Sequence, residues 1–221
     1  FVPQVSPFYN KNVPFYEFNA KKAEEVLKNA GYKPDGTGKN WIDPKTGKPL
    51  PEMKIFTPTY EVAPTSAELG KMIADSCQKI GLPVKPEPMD FNVMLDKLDI
   101  GEFDMYCLAW SLSKLPTFLH SFFHSSMDVE AGYNRPGIHN PELDKVLEDL
   151  YYANDLKAAR TAADKAQLIL AREMPYVPLY SRPYIDAFNK TQVTGYVDMN
   201  GFGAASYNNP WTLLNIRRVD R

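Results

Sequence analysis

The chain has 221 residues, with 25 Lys and Arg against 27 Asp and Glu, and a formal net charge of −2 at pH 7. That balance lacks the basic footprint that nucleic acids and anionic membranes require. Its 44% hydrophobic and 24% charged residues are those of a folded chain with a sizeable core, not a disordered one. No apolar run approaches the roughly 18 residues of a membrane-spanning helix, and 19 prolines with 12 Phe, 13 Tyr and 3 Trp point to rigid loops and aromatic-lined surface.

The chain opens at Phe1, in a segment with no initiator Met and neither the basic nor the apolar region of a signal peptide. It therefore reads as a piece of something longer. Asn19 is placed to cap a helix over residues 20–30, with Ala23, Val26, Leu27 and Ala30 at helical spacing and Gly31 where the chain turns left-handed. Residues 32–51 shift to Gly, Pro, Asp, Lys and Asn and read as loop with a small hairpin, residues 43–47 forming its turn.

Residues 53–57 alternate as a strand does. Pro64 opens a helix with Leu69, Met72, Ile73, Cys77 and Ile80 on one stripe, ended by Gly81. Residues 82–88 are extended, residues 91–100 are helical with Phe91, Met94, Leu95 and Leu98, and residues 103–110 form a mostly apolar strand. Strand, helix, strand, helix, strand is the order of a parallel sheet that buries both faces. The expected fold is α/β, a mostly parallel sheet with helices on both faces.

A short helix is expected within 115–123 and a loop over 125–139. Asn140 and Pro141 start a helix carrying Leu143, Val146, Leu147, Leu150 and Tyr151. Asp155 caps the longest helix, which Pro175 stops. Two extended pieces, 176–181 and 184–188, precede a Gly- and Asn-rich tail ending in residues 211–216.

Open α/β sheets bind ligands beyond the carboxyl ends of their strands, so residues following the last strand are the first candidates. Trp110, Ser111 and Ser113 stand there: an indole covers a ligand face and hydroxyls donate or accept. Tyr133, Asn134 and Arg135 add planar and polar groups from a loop. The competing readings are a packed strand end and a surface turn. His120 and His124, four apart, would share a helix face, with His139 as a third candidate ligand. No H-E-x-x-H pattern accompanies them, so amphipathic packing is preferred to a metal site. No G-x-S-x-G elbow is present, Cys77 and Cys107 lie on apolar stripes, and neither catalysis nor a cofactor is expected. The two thiols either bridge or stay free and buried.

The landmarks together resemble one family. Residues 18–32 (FNAKKAEEVLKNAGY) are similar to its D-P-x-K-A-x-x-L-L-x-x-A-G-Y helix. Residues 43–50 (DPKTGKPL), 80–82 (IGL), Phe103 and Asp104 with Trp110, 140–144 (NPELD), 154–170 and 175–180 (PYVPLY) follow in order. The chain resembles the carboxy-terminal part of the extracytoplasmic solute-binding proteins of ABC importers, oligopeptide and dipeptide class. The resemblance implies one lobe of a two-lobed, periplasmic-binding-protein-like fold. The implied parts are a lead-in over 1–52, a ligand-binding lobe over 53–195, and a tail over 196–221 returning toward an amino-terminal lobe. It implies capture of a peptide or oligosaccharide and delivery to an ABC permease by a monomer, periplasmic or extracellular, free or lipid-anchored. The contrasting class is a hydrolytic enzyme; a sensor lobe is a third reading. Peptide binders of the family often carry Asp after the strand in a G-W-x-x-D context, and some an Arg within it. Here Ser111 or Ser113 and Cys107 stand in those places, with Lys114 the nearby cation. The expected ligand is thus neutral or weakly charged, held by stacking and neutral hydrogen bonds.

Overall fold

The structure is a computed structural model that describes residues 1–113, 115–181, 185–189, 191–199, 204 and 209–219. Two compact units are built from interleaved segments. A sheet unit comprises Phe15–Leu112 and Ser121–His139; a helical unit comprises Phe1–Pro14, Ser113–His120 and Asn140–Arg221. Each unit gathers segments far apart in sequence.

In the sheet unit, α1 (Ala20–Asn29) starts where expected, the Asn19 side chain accepting the Lys22 N–H at 3.1 Å. Its apolar stripe is not core: no residue of α1 is buried, and Val26 is 66% exposed. β1 (Lys33–Pro34) and β2 (Trp41–Ile42) form the small antiparallel hairpin. Buried Trp41 pins it down by donating Nε1–H to the Ile80 carbonyl at 2.6 Å. Gly81 follows with φ +78°, in the left-handed region, and a Cβ there would press on Trp41 Nε1.

β3 (Met53–Pro58), α2 (Pro64–Lys79), β4 (Val84–Met89), α3 (Phe91–Asp99) and β5 (Met105–Tyr106) make the predicted alternation. The sheet is parallel with β3 central, in the order β4-β3-β5. Successive β3 side chains point to opposite faces. Ile55 packs with Ala74 of α2, Val84 and Cys107, and Phe56 packs with Met94 and Leu98 of α3. Each face thus has its helix. Edge strand β4 carries Pro86 and Pro88, which offer no N–H to another strand.

Two expectations need correction. The α2 stripe is centred on small Gly70 and Ala74, with Met72 exposed. The strand expected over 103–110 shrinks to β5 plus one further bond, Cys107 N–H to the Phe56 carbonyl at 2.9 Å. The next rung of a parallel ladder would take an N–H from Pro58, which has none, so the chain leaves the sheet. Cys77 and Cys107 are free thiols of one apolar cluster, and burial raises both above the ordinary thiol range.

α4 (Phe118–Phe123) lies within the expected short helix. In the helical unit, α5 (Pro141–Tyr151) and α6 (Leu156–Glu173) pack together, capped by Asn140 and Asp155 as read from sequence. Leu143, Leu147 and Leu150 meet an Ala-rich α6 face. Buried Gln167 of α6 donates to the Phe8 carbonyl at 2.9 Å and accepts the Asn10 N–H at 3.1 Å, tying down the first segment. Met174, φ +48°, turns the chain out before Pro175. No strand forms among the described residues of 176–181 and 185–188; Tyr184 and, in the Gly- and Asn-rich tail, residues 200–203 and 205–208 lie outside the described residues. β6 (Val193–Thr194) pairs antiparallel with β7 (Arg217–Arg218) around α7 (Pro210–Asn215), a helix capped by Asn209 that the sequence reading did not anticipate.

Gly70 sits against β3 so closely that a Cβ would collide with the Thr57 methyl. Gly70→Ala gains about 1 kcal/mol of helix propensity but overpacks a buried contact, a cost of about 1–3 kcal/mol. The urea midpoint of Gly70→Ala should fall, and Thr57→Ser in the same chain should recover most of the loss. A Gly70→Ala chain as stable as the parent would show that α2 stands off from β3.

Candidate functional site

The shortened β5 releases Trp110 at the carboxyl end of the parallel sheet. Its indole is 40% exposed, with no ladder to fix it, and aromatic neighbours hold it instead. Phe122 of α4 meets it edge-on at 4.8 Å between centroids, and Tyr133 does so at 5.5 Å with the planes at 88°. Phe122 and Tyr133 stack on one another at 5.5 Å and 20°. Such offset and T-shaped pairs suit the ring quadrupoles. The outcome is a three-ring surface in which Trp110 and Tyr133 (45% exposed) stay open to solvent.

The loop carrying Tyr133 is built around Asn134, which is 1% exposed. Its amide donates to the His124 carbonyl at 3.1 Å and the Ile138 carbonyl at 2.9 Å, and its oxygen accepts the Ile138 N–H at 3.1 Å. Gly132 permits the tight approach: a Cβ there would strike the Met127 carbonyl oxygen. Asn134, read from sequence as a ligand contact, has its polar atoms committed to the loop.

Arg135 is placed behind the rings. Its side chain is 6% exposed, and Nη2 donates to Asp99 Oδ1 at 2.5 Å. The guanidinium carbon lies 5.9 Å from the Trp110 ring and 5.8 Å from the Tyr133 ring, within cation–π range. The charge is thereby neutralised by Asp99 and faced by two π-systems.

Five of the six predicted residues, Trp110, Ser111, Tyr133, Asn134 and Arg135, fall in the sheet unit, with Ser111 exposed. Ser113 belongs to the helical unit and donates its hydroxyl to the Leu115 carbonyl at 2.6 Å. Lys114 lies outside the described residues. Sequence reasoning missed Phe122 and Asp99. A signal for Asp99 existed: an acid in the last turn of a helix opposes the macrodipole and implies a cationic partner.

The histidines do not share a helix face. α4 ends at Phe123, and His124 instead caps a 3₁₀ turn (Ser125–Met127) through Nδ1. His139 pairs with Asp128 at 2.7 Å, and no group of three metal-ligating side chains occurs among the described residues. A cavity of about 480 Å³ in the helical unit is lined by residues including Tyr9, Asn10, Arg160 and Asp164, and one of about 220 Å³ in the sheet unit by Thr57, Tyr60, Lys71 and Pro86 among others. Neither is lined by any of the six candidates.

The sequence model of the bacterial extracellular solute-binding proteins, family 5 Middle, matches residues 1–128. The oligopeptide-binding protein AppA of Bacillus subtilis (strain 168) is 28% identical over 171 residues, covering 76% of this chain and 30% of AppA. OppA of the same organism is 26% identical over 205 residues, covering 91% of this chain and 34% of OppA. Among solved structures, AppA in complex with a nonapeptide matches with a TM-score of 0.70 at 26% identity, over 77% of this chain and 33% of that one. The periplasmic oligopeptide-binding protein of Thermotoga maritima matches with a TM-score of 0.76 at 23% identity, over 96% of this chain and 42% of that one, a likeness of fold. The α/β fold is thus that of periplasmic binding proteins, and the chain spans about a third of the length of these curated relatives.

The Asn134 brace is testable apart from any ligand. Asn134→Ala strands the Ile138 N–H and two carbonyls, each buried unsatisfied group costing about 1–3 kcal/mol before relaxation or water entry. Unfolding free energy should drop by at least the lower figure, and amide exchange at Ile138 should accelerate. Unchanged exchange at Ile138 would refute the brace.

Proposed function

The chain belongs to the bacterial extracellular solute-binding proteins of family 5, and from that membership we propose that it binds a peptide-type solute for an ABC importer. In this reading the three-ring surface is part of the ligand cleft. Trp110 and Tyr133 supply stacking area, and Ser111 supplies a neutral hydrogen bond. Asn134 and Arg135 shape the surface. Residues 53–195 supply this lobe's share of the cleft. The longer protein closes a second lobe over the solute and presents it to the permease outside the cytoplasm, with no chemical step.

The observation that carries the reading is the half-exposed Trp110, held at the carboxyl end of a parallel sheet where ligands of open α/β folds dock. The relatives' names supply the solute class: AppA and OppA are oligopeptide-binding proteins. Recognition is neutral in character. The one cation described beside the rings is already paired with Asp99, so binding should respond little to salt.

Tri-, tetra- and penta-alanine and a neutral maltopentaose, each observed by saturation-transfer NMR, test the solute class at the weak affinities expected of a partial cleft. Saturation of the peptides but not the sugar is the expected result. Trp110→Ala should weaken peptide binding by about 1–3 kcal/mol, the scale of one buried aromatic contact, at both low and high salt. Saturation of the sugar alone would move the assignment to oligosaccharides; peptide binding indifferent to Trp110→Ala would remove the rings from the cleft.

A further inference from the structure

Arg135 is the most deeply covered charge for which the sheet unit offers an incomplete set of partners. Only Nη2 is hydrogen-bonded, to Asp99. Nε and Nη1 are shielded from solvent and have no hydrogen-bond partner among the described residues. A guanidinium buried this way is costly unless something else faces its charge. What faces it is the pair of rings, Trp110 at 5.9 Å and Tyr133 at 5.8 Å. Because its donors are covered, the group acts on the rings and not on a solute in this conformation.

Trp110 has no strand partner to orient it, because the ladder stops one residue after β5. Among the described residues its ring meets two edge-on aromatic neighbours and the cation. Arg135 is in turn anchored from outside its own loop, by the last residue of α3. We infer that the Asp99–Arg135 ion pair is a positioning device that presets the Trp110 and Tyr133 rings for ligand. Asp99 acts on Trp110 only through Arg135, which ties the α3 end, the chain leaving β5 and the 132–138 loop into one unit. A planar guanidinium can face two rings while holding a carboxylate, whereas an ammonium is a single point charge. The functional consequence rests on the reading that these rings meet the solute; the positioning itself does not.

The test follows the indole N–H resonance of Trp110 in ¹H–¹⁵N spectra, assigned by its loss in Trp110→Phe. In Asp99→Asn, far below the melting temperature, this resonance should shift and broaden while those of Trp41 and Trp211 hold still. Asp99→Glu should restore it. Arg135→Met, which removes the charge instead of stranding it, should give the same displacement and answers the question if Asp99→Asn does not fold. Affinity for tetra-alanine should fall about threefold to tenfold in both variants, the scale of a cation–π contact. A Trp110 resonance unmoved in Arg135→Met would overturn the positioning role, even where Trp110→Ala abolishes binding. A displaced resonance with no effect of Trp110→Ala on binding would uphold the positioning role and fail the cleft assignment instead.

Discussion

β3 must bury both of its faces, and most of the sheet unit follows from that constraint. A strand with parallel neighbours on either side exposes neither face, so its consecutive residues need separate apolar partners. Ile55 and Phe56 are assigned to opposite clusters one residue apart. On the Ile55 side, Gly70 and Ala74 allow α2 to approach closely; on the Phe56 side, Met94 and Leu98 fill the space under α3. The end of the same strand then sets where the ladder fails. Pro58 cannot donate the next rung, and the chain after Cys107 becomes free to carry Trp110 to the surface. An exposed indole is thus delivered by a missing hydrogen bond.

Local chemistry was legible in sequence where a few neighbouring residues decide the outcome. Asn19, Asn140 and Asp155 cap the helices they were expected to cap, and Pro64, Pro141 and Pro175 punctuate as read. What escaped is decided by distant partners. Residues 105–110 are uniformly apolar, so nothing within them announces that pairing ends near Cys107; the reason lies some fifty residues earlier, at Pro58. Contacts between segments far apart in the chain are equally invisible. Gln167 holds the backbone of Asn10 across 157 residues, a hydrogen bond that leaves no trace in periodicity. The α1 stripe erred in the other direction, since amphipathic spacing reports a capacity to be buried and not burial.

The candidate site divides along the same line. Trp110, Tyr133 and Arg135 are candidates by their position beyond a strand and within a loop, but their arrangement is not visible in sequence. It depends on Phe122 and Asp99, which come from elements read only as helices. Asn134 shows what sequence leaves out of a polar loop residue. Its buried amide donates to two backbone carbonyls and accepts a backbone N–H, bonds that hold the loop closed and that no sequence pattern announces.

Two buried polar groups within one loop therefore do different work. Asn134 is satisfied by hydrogen bonds to the loop itself, so it fixes backbone. Arg135 is bonded through Nη2 alone, to one carboxylate, and faces two π-systems, so in the inferred role it fixes side chains that the backbone leaves loose. Rings held in advance lose less freedom when a ligand arrives, and that saving appears directly in affinity. Aromatic surface also makes few demands on a ligand's side chains, because stacking and backbone contacts read shape more than charge. With Arg135 already neutralised by Asp99, the surface presents area without presenting net charge. In the proposed reading, that combination favours peptides as a class over any one sequence, and the preset geometry compensates for the absence of an ion-pair anchor among Ser111, Ser113 and Cys107.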